Sequence, residues 1–266
     1  MKTRLISVAC MLPFLAFLII GKLPLLIITL LVALAAMFEF YRGFEKLEIR
    51  ASLPVAGALT LALFGLIYAS LFYAKSWELY ETLIDIWFFA VVGTSLLLIV
   101  LDKSHNILGP TYTLVGVVYV AFNLSHLVLI EQKEHVMTWM PFVIACLSDI
   151  GGFFGGMYFG KHRLAPNLSP KKTVEGAIGG ILFSTIGSII FALIACQDNF
   201  LLCVLLGLIG SIIAELGDLT ASAFKRKIGI KDYSNLIPGH GGILDRMDSA
   251  IFVIPFVYYC MVLFFK

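Results

Sequence analysis

Apolar runs of about 18 or more residues recur from one end of this sequence to the other, and each is long enough to cross a bilayer as a helix. They leave no stretch for a soluble domain. Of the 266 residues, 60% are hydrophobic and 14% charged, against roughly 45–50% and about 25% in ordinary soluble domains. The excess requires lipid to absorb it. The chain therefore reads as a single integral membrane domain over 1–266, all-α and polytopic.

Breaking the hydropathy at charges, prolines and turn residues gives about nine transmembrane helices, near 4–21, 24–41, 52–74, 83–101, 110–130, 138–159, 175–196, 200–223 and 249–265. Lys2 and Arg4 before an apolar stretch resemble a signal peptide, but no small-residue cleavage site follows and Pro24 opens a second span at once. The segment is read as a retained first span. Short connections predict antiparallel neighbours. Two connections are longer and polar, Gly160 to Thr173 and Lys225 to Asp248. With the N-terminus in the cytoplasm, 15 of the 19 basic residues fall on the cytoplasmic side and only Lys22, Lys75, Lys133 and Lys266 outside. The positive-inside rule then puts both long loops in the cytoplasm. Residues 1–135 read as a helical scaffold, and 136–266 as the catalytic helices with their cytoplasmic loops.

A net charge of +2 without a basic stripe argues against nucleic-acid binding. The cysteines Cys10, Cys146, Cys196, Cys203 and Cys260 form no CxxC pair and read as packing residues. There is no internal repeat. Gly151, Gly152, Gly155 and Gly156 lie on the sixth helix, where small residues permit close helix contact or bare the backbone beside a ligand. The run Gly155 to Lys161 fits part of a phosphate-binding loop, but His162 stands where Ser or Thr is required and a membrane helix is the wrong setting.

Carboxylates inside apolar spans are costly, by roughly 2.5–3.5 kcal/mol on insertion scales, and mark function by default. Asp149 sits deep in the sixth span, Glu215 and Asp218 near the end of the eighth, and Asp245 with Asp248 just before the ninth. Ser211, Glu215, Asp218 and Ser222 follow steps of four, three and four, so they share one helix face. Such oxygen donors suit a hard cation such as Mg²⁺; salt bridges to Lys225 or Arg246 are the plain alternative. Lys225, Arg226, Lys227 and Lys231 offer cationic donors, and Gly239, Gly241 and Gly242 let backbone N–H groups approach an anion. Acid beside a basic, glycine-rich loop is a layout for moving a nucleotidyl or phosphoryl group.

The stretch 222–248 resembles the signature of the phosphatidate cytidylyltransferase family through Ser222, Lys225, Arg226, Lys231, Asp232, Ser234, Pro238, His240, Gly241, Gly242, Asp245, Arg246 and Asp248. A second stretch, Asp149 to Gly180, is similar to the family in Asp149, Lys171, Lys172, Thr173 and Glu175. It departs at Ile150, Gly152, Phe153 and Val174, where the family more often has Asp-Thr-Gly-Ala-Tyr and Thr-Trp-Glu-Gly. The resemblance implies a nucleotidyltransferase of phospholipid synthesis, in which a phosphatidate oxygen attacks the α-phosphorus of CTP to give CDP-diacylglycerol and pyrophosphate. It implies Mg²⁺, with a second metal ion as an option, on Asp218, Asp245 and Asp248, with Asp149 and Glu215 as further ligands. Lys225 and Arg226 are implied in catalysis. Substrate contacts are implied for Ser222, Lys231, His240, Gly241, Gly242, Arg246, Lys171, Lys172 and Thr173. CTP, phosphatidate and membrane lipids are the expected partners, at the cytoplasmic face of the cell membrane; the oligomeric state is open, a homodimer included. The alternatives are a polyprenol or phytol kinase, a CDP-archaeol synthase, or a secondary transporter, which would call for inverted repeats.

Overall fold

A computed structural model of the chain describes residues 16–72, 77–101, 107–236 and 241–265. Most of the expected first span, together with Pro238, Gly239 and His240, lies outside them. The helices are α1 (Lys22–Phe44), α2 (Leu53–Phe72), α3 (Trp77–Leu101), α4 (Leu108–Gly116), α5 (Asn123–Lys133), α6 (Met140–Phe159), α7 (Val174–Ala195), α8 (Phe200–Ile228), α9 (Leu244–Met247) and α10 (Ala250–Phe264). A π-helical turn, Val117–Phe122, joins α4 to α5 in one continuous rod. Among the described residues, seven stretches are long and apolar enough to cross a membrane, and each coincides with an expected span. The expected ninth span is α10, whose 15 residues extend about 22 Å at the helical rise, less than the ~30 Å hydrocarbon core.

Two boundaries differ from expectation. The polar stretch after α6 folds into an antiparallel hairpin of β1 (Arg163–Ala165) and β2 (Ser169–Thr173), with Arg163 opposite Thr173 and Ala165 opposite Ser169. Pro166 and Asn167 are turn formers, and the Leu168 N–H closes the turn on the Ala165 carbonyl at 3.2 Å. Helix α8 continues to Ile228, past the expected end at 223. Lys225, Arg226 and Lys227 are good helix formers and sit where the negative end of the helix dipole favours cations. Gly229 then stops the helix at φ +75°, donating to Arg226 O while Ile230 donates to Lys225 O.

The chain divides into two units, Met1–Gln132 with Asp232–Asp245, and Lys133–Lys231 with Arg246–Lys266. The segment 232–245 returns to the first unit. That unit is held by large side chains: Phe40, Phe44, Phe64, Met37 and Leu63 are fully buried. Two of its polar side chains bond backbone carbonyls inside the spans, Tyr41 OH donating to Thr113 O at 2.8 Å and Trp87 Nε1 to Leu59 O at 2.8 Å.

The second unit is packed by small residues. Along α7, Gly176, Gly180, Ser184, Ser188 and Ala192 recur every four residues and are buried, while Ile178, Leu182, Ile186, Ile190 and Ile194 recur at the same interval and are exposed. Lipid solvates a large apolar side chain as well as a protein core does, so helices associate through surfaces that let backbones approach. A Cβ at Gly151 would lie 2.4 Å from the Gly179 carbonyl oxygen, and one at Gly155 3.0 Å from the Glu175 carbonyl. Gly151→Ala is therefore expected to destabilise the protein by about 1–3 kcal/mol through overpacking. Thermal unfolding of purified protein in detergent measures this. Gly152→Ala, where the nearest atom to a Cβ would be 3.6 Å away, is the control for helix propensity and should not destabilise.

Candidate active site

The second unit holds a cavity of about 470 Å³ between α6, the hairpin, α7 and α8. It is lined by the cations Arg163, Lys171 and Lys172, by the carboxylates Asp149, Glu215 and Asp218, and by the apolar Phe153 and Met157. The four glycines of α6 divide by face. Gly151 and Gly155 pack against α7, while Gly152 and Gly156 line the cavity.

Local chemistry positions the hairpin. Thr173 Oγ1 caps α7 by accepting the Gly176 N–H at 3.1 Å. Glu175 reaches back to accept the Lys161 and His162 N–H groups at 3.0 and 3.2 Å and to contact His162 Nδ1 at 2.6 Å. At the other end, Arg226 Nε donates to Leu168 O at the hairpin turn, 3.2 Å away. With neck and tip both tied, β2 delivers Lys172 to the carboxylates of α8. Its ammonium bonds Glu215 and lies 2.7 Å from Asp218 Oδ2. The expected common face of Glu215 and Asp218 is thus formed, and its cation comes from the hairpin, not from Lys225 or Arg246. Burial pulls the Lys172 pKa down, but the carboxylates of Asp218 and Glu215 outweigh it and hold the pKa above the ordinary lysine value.

Asp149 accepts the Ser249 hydroxyl at 3.2 Å and stands within electrostatic reach of Asp218, Lys172 and Glu215. Asp248 sits before α10, close to α8, because Gly217 has no side chain: a Cβ there would lie 2.6 Å from the Asp248 carbonyl oxygen. The buried Lys225 ammonium is 3.7 Å from Asp248 Oδ2. Burial pushes the Asp248 pKa up to about 7; Asp218 and Asp149 add to the rise, while Lys225 and the Ser249 N–H oppose it.

The second unit thus gathers Asp149, Glu215, Asp218, Asp248, Lys171, Lys172, Thr173 and Lys225. Ser222 is half-buried on α8, and Arg226, Lys231 and Arg246 are exposed. Among the described residues, no three His, Cys, Asp or Glu side chains close around a point that would hold a metal ion. In the first unit, Asp245 Oδ2 accepts the N–H groups of Tyr233 at 2.8 Å and Gly242 at 2.9 Å. The Gly242 N–H, expected to face an anion, is therefore taken by the protein itself. Sequence reasoning missed Arg163, whose place in the cavity lining follows from the hairpin that Pro166 and Asn167 signal. It also missed Glu39, a single carboxylate in an apolar run and buried at 4% exposure.

The model of the cytidylyltransferase family matches residues 2–264. The chain belongs to the cytidylyltransferase family. It is 32% identical to a phosphatidate cytidylyltransferase of Bacillus subtilis (strain 168), over 99% of this chain and 98% of the relative. Identity is 33% to the Staphylococcus haemolyticus (strain JCSC1435) protein of that name and 34% to that of Staphylococcus aureus (strain COL), each over 96% of both chains. Family membership therefore covers both units, not the signature alone.

Removing the Lys172 charge strands two carboxylates. Lys172→Met should lower stability by about 1–3 kcal/mol, less than the roughly 3–5 kcal/mol for a fully buried pair because these side chains stay partly solvated. Lys172→Arg should retain most of it; thermal unfolding of both variants in detergent is the check.

Proposed function

We propose that this protein transfers the cytidylyl group of CTP to phosphatidate, producing CDP-diacylglycerol and pyrophosphate. The observation that carries this is identity along nearly the whole chain to proteins named for that reaction. The cavity supports it: the cations that line it suit phosphate oxygens, and Phe153 and Met157 suit a lipid.

The new bond joins a phosphatidate oxygen to the α-phosphorus, and the bond from the α-phosphorus to its bridging oxygen breaks as pyrophosphate leaves. The attacking oxygen is already anionic, so the protein needs no strong base. Its work is alignment and charge neutralisation. Arg163 and Lys171 draw phosphate into the cavity. Lys172, held protonated, sits where phosphate and carboxylate charge would meet. Lys225 and Arg226, on the last turn of α8, are assigned to the reacting phosphates, with Ser222, Lys231 and Arg246 as further contacts.

Asp149, Glu215, Asp218 and Asp248 supply hard oxygen donors, and the ion pairs described among them involve two cations, Lys172 and Lys225. This donor set fits Mg²⁺ in chemistry and charge, with Asp218 and Asp248 as the assigned ligands. Bound there, the ion would neutralise charge developing on the phosphates. The expected metal role of Asp245 rests on the resemblance alone.

We also assign nine spans with the N-terminus in the cytoplasm, on the strength of the 15-to-4 division of basic residues. The end of α6, the hairpin, the start of α7 and the end of α8 lie together in the second unit, as one shared face requires. On this assignment the cavity opens toward cytoplasmic CTP.

Purified protein in detergent should convert labelled CTP and phosphatidate to CDP-diacylglycerol with stoichiometric pyrophosphate, and only with a divalent metal. CDP formed with a polyprenol acceptor instead would make it a lipid kinase. Asp218→Asn and Asp248→Asn should each lower turnover by at least about 100-fold, a loss of roughly 2.7 kcal/mol of transition-state stabilisation, without loss of folded protein; near-normal rates in both would remove the metal assignment. Because Asp248 is raised to about 7, its protonated form predominates below that pH and competes with metal. The Mg²⁺ concentration for half-maximal rate should therefore rise as pH falls from about 8 to about 6.

A further inference from the structure

Glu175 lies in the first turn of α7, where the positive end of the helix dipole favours a carboxylate. Its side chain turns back to the chain that leaves α6. Oε2 accepts the successive N–H groups of Lys161 and His162 at 3.0 and 3.2 Å, and Oε1 meets His162 Nδ1 at 2.6 Å. The same neck is closed by the Val174 N–H, which donates to His162 O at 2.9 Å. It also lies hard against Thr173: a Cβ at Gly160 would fall 3.0 Å from Thr173 Oγ1. Beyond the neck the strands run only three and five residues, and their register shifts between Arg163 and Ala165. A two-stranded hairpin is marginal on its own, so side-chain ties decide where it stands. Its residues Arg163, Lys171, Lys172 and Thr173 line the cavity, and Arg163 and Lys171 are exposed.

We propose that Glu175 is a positioning residue for substrate phosphate, holding the neck of the hairpin so that Arg163 and Lys171 stand in the cavity lining. Arg163 follows His162 directly and pairs with Thr173, just before the helix that carries Glu175. One carboxylate therefore fixes both strands at the point where they bring cations to the cavity. Pairing with the exposed His162 would take one oxygen; binding two successive backbone N–H groups as well sets the direction of the chain into Arg163. Lys172 is held separately, by Glu215 and Asp218, so the loss of Glu175 should reach Arg163 and Lys171 first. That these cations bind phosphate rests on the cytidylyl-transfer reading; how Glu175 holds the neck does not.

The test compares the full-length protein with Glu175→Gln, His162→Ala and His162→Asn, in detergent, by amide hydrogen exchange and steady-state kinetics. In Glu175→Gln, exchange at 161–165 should rise at least about tenfold while α8 and α10 hold. KM should rise at least about fivefold and kcat should change by less, because the carboxylates of α8 and Lys225 are untouched. A raised KM for CTP assigns the hairpin to the triphosphate, and a raised KM for phosphatidate assigns it to the lipid phosphate. His162→Ala should act in the same direction, more weakly, and His162→Asn, which keeps a side-chain donor, should stay nearer the wild type. Unchanged exchange at 161–165 overturns the proposal whatever the activity. Raised exchange with both KM values unchanged leaves Glu175 purely structural and overturns it too. If Glu175→Gln fails to fold, His162→Ala decides by the same two criteria. A wild-type protein without CTP-dependent turnover would sink the functional reading; the proposal is then judged by the Kd of pyrophosphate, which should rise at least about fivefold in Glu175→Gln. An unchanged Kd, or no pyrophosphate binding to the wild type, overturns it.

Discussion

The contact of Lys172 with Glu215 and Asp218 is the interaction on which the hairpin's place in the second unit depends. Each partner alone would be a charge withdrawn from water beside lipid, and none is retained there without compensation. The bridge fixes where β2 must end, and β2 in turn requires the neck tied by Glu175 and the tip tied by Arg226. Those ties use residues of the matched sequence stretches, Thr173, Glu175 and Arg226, for work that precedes any chemistry. The cavity is what remains once these constraints are met.

A bilayer also changes what a well-packed helix looks like. In water, α7 would bury its large aliphatic side chains; here Ile178, Leu182, Ile186, Ile190 and Ile194 face outward, and glycine, serine and alanine face inward. The inversion has a consequence for the site. Because α6 and α7 meet backbone to backbone at Gly151, Gly155 and Gly179, the neighbouring face of α6 can present Gly152 and Gly156 to the cavity without a gap opening between the helices.

The spans are legible in the sequence because a hydrophobic run of fixed length has only one use in lipid, and the shared face of Glu215 and Asp218 follows from helical spacing alone. The partner of that face is not legible. Lys172 is 43 residues from Glu215, and its approach depends on a hairpin that three- and five-residue strands do not announce by periodicity. The end of α8 lies beyond its expected place because lysine and arginine close a hydrophobic span without closing a helix, which can leave the membrane and continue. Glu39 gives no signal of its role: its partners Ser234, Ile243 and Leu244 are 195, 204 and 205 positions away, and two of them act through the backbone, which every residue carries alike.

Glu39 and the acidic group of the second unit show that the same sequence property has two physical outcomes. Each is carboxylate in a largely apolar helical setting. Glu39 meets enough N–H and O–H donors, on Ser234, Ile243 and Leu244, to be satisfied by the protein alone. Asp149, Glu215, Asp218 and Asp248 stand close together with Lys172 and Lys225 as their cations, and burial together with the excess of negative charge raises the Asp248 pKa. A satisfied buried charge fixes structure; an incompletely neutralised cluster beside a cavity is a candidate site for a cation.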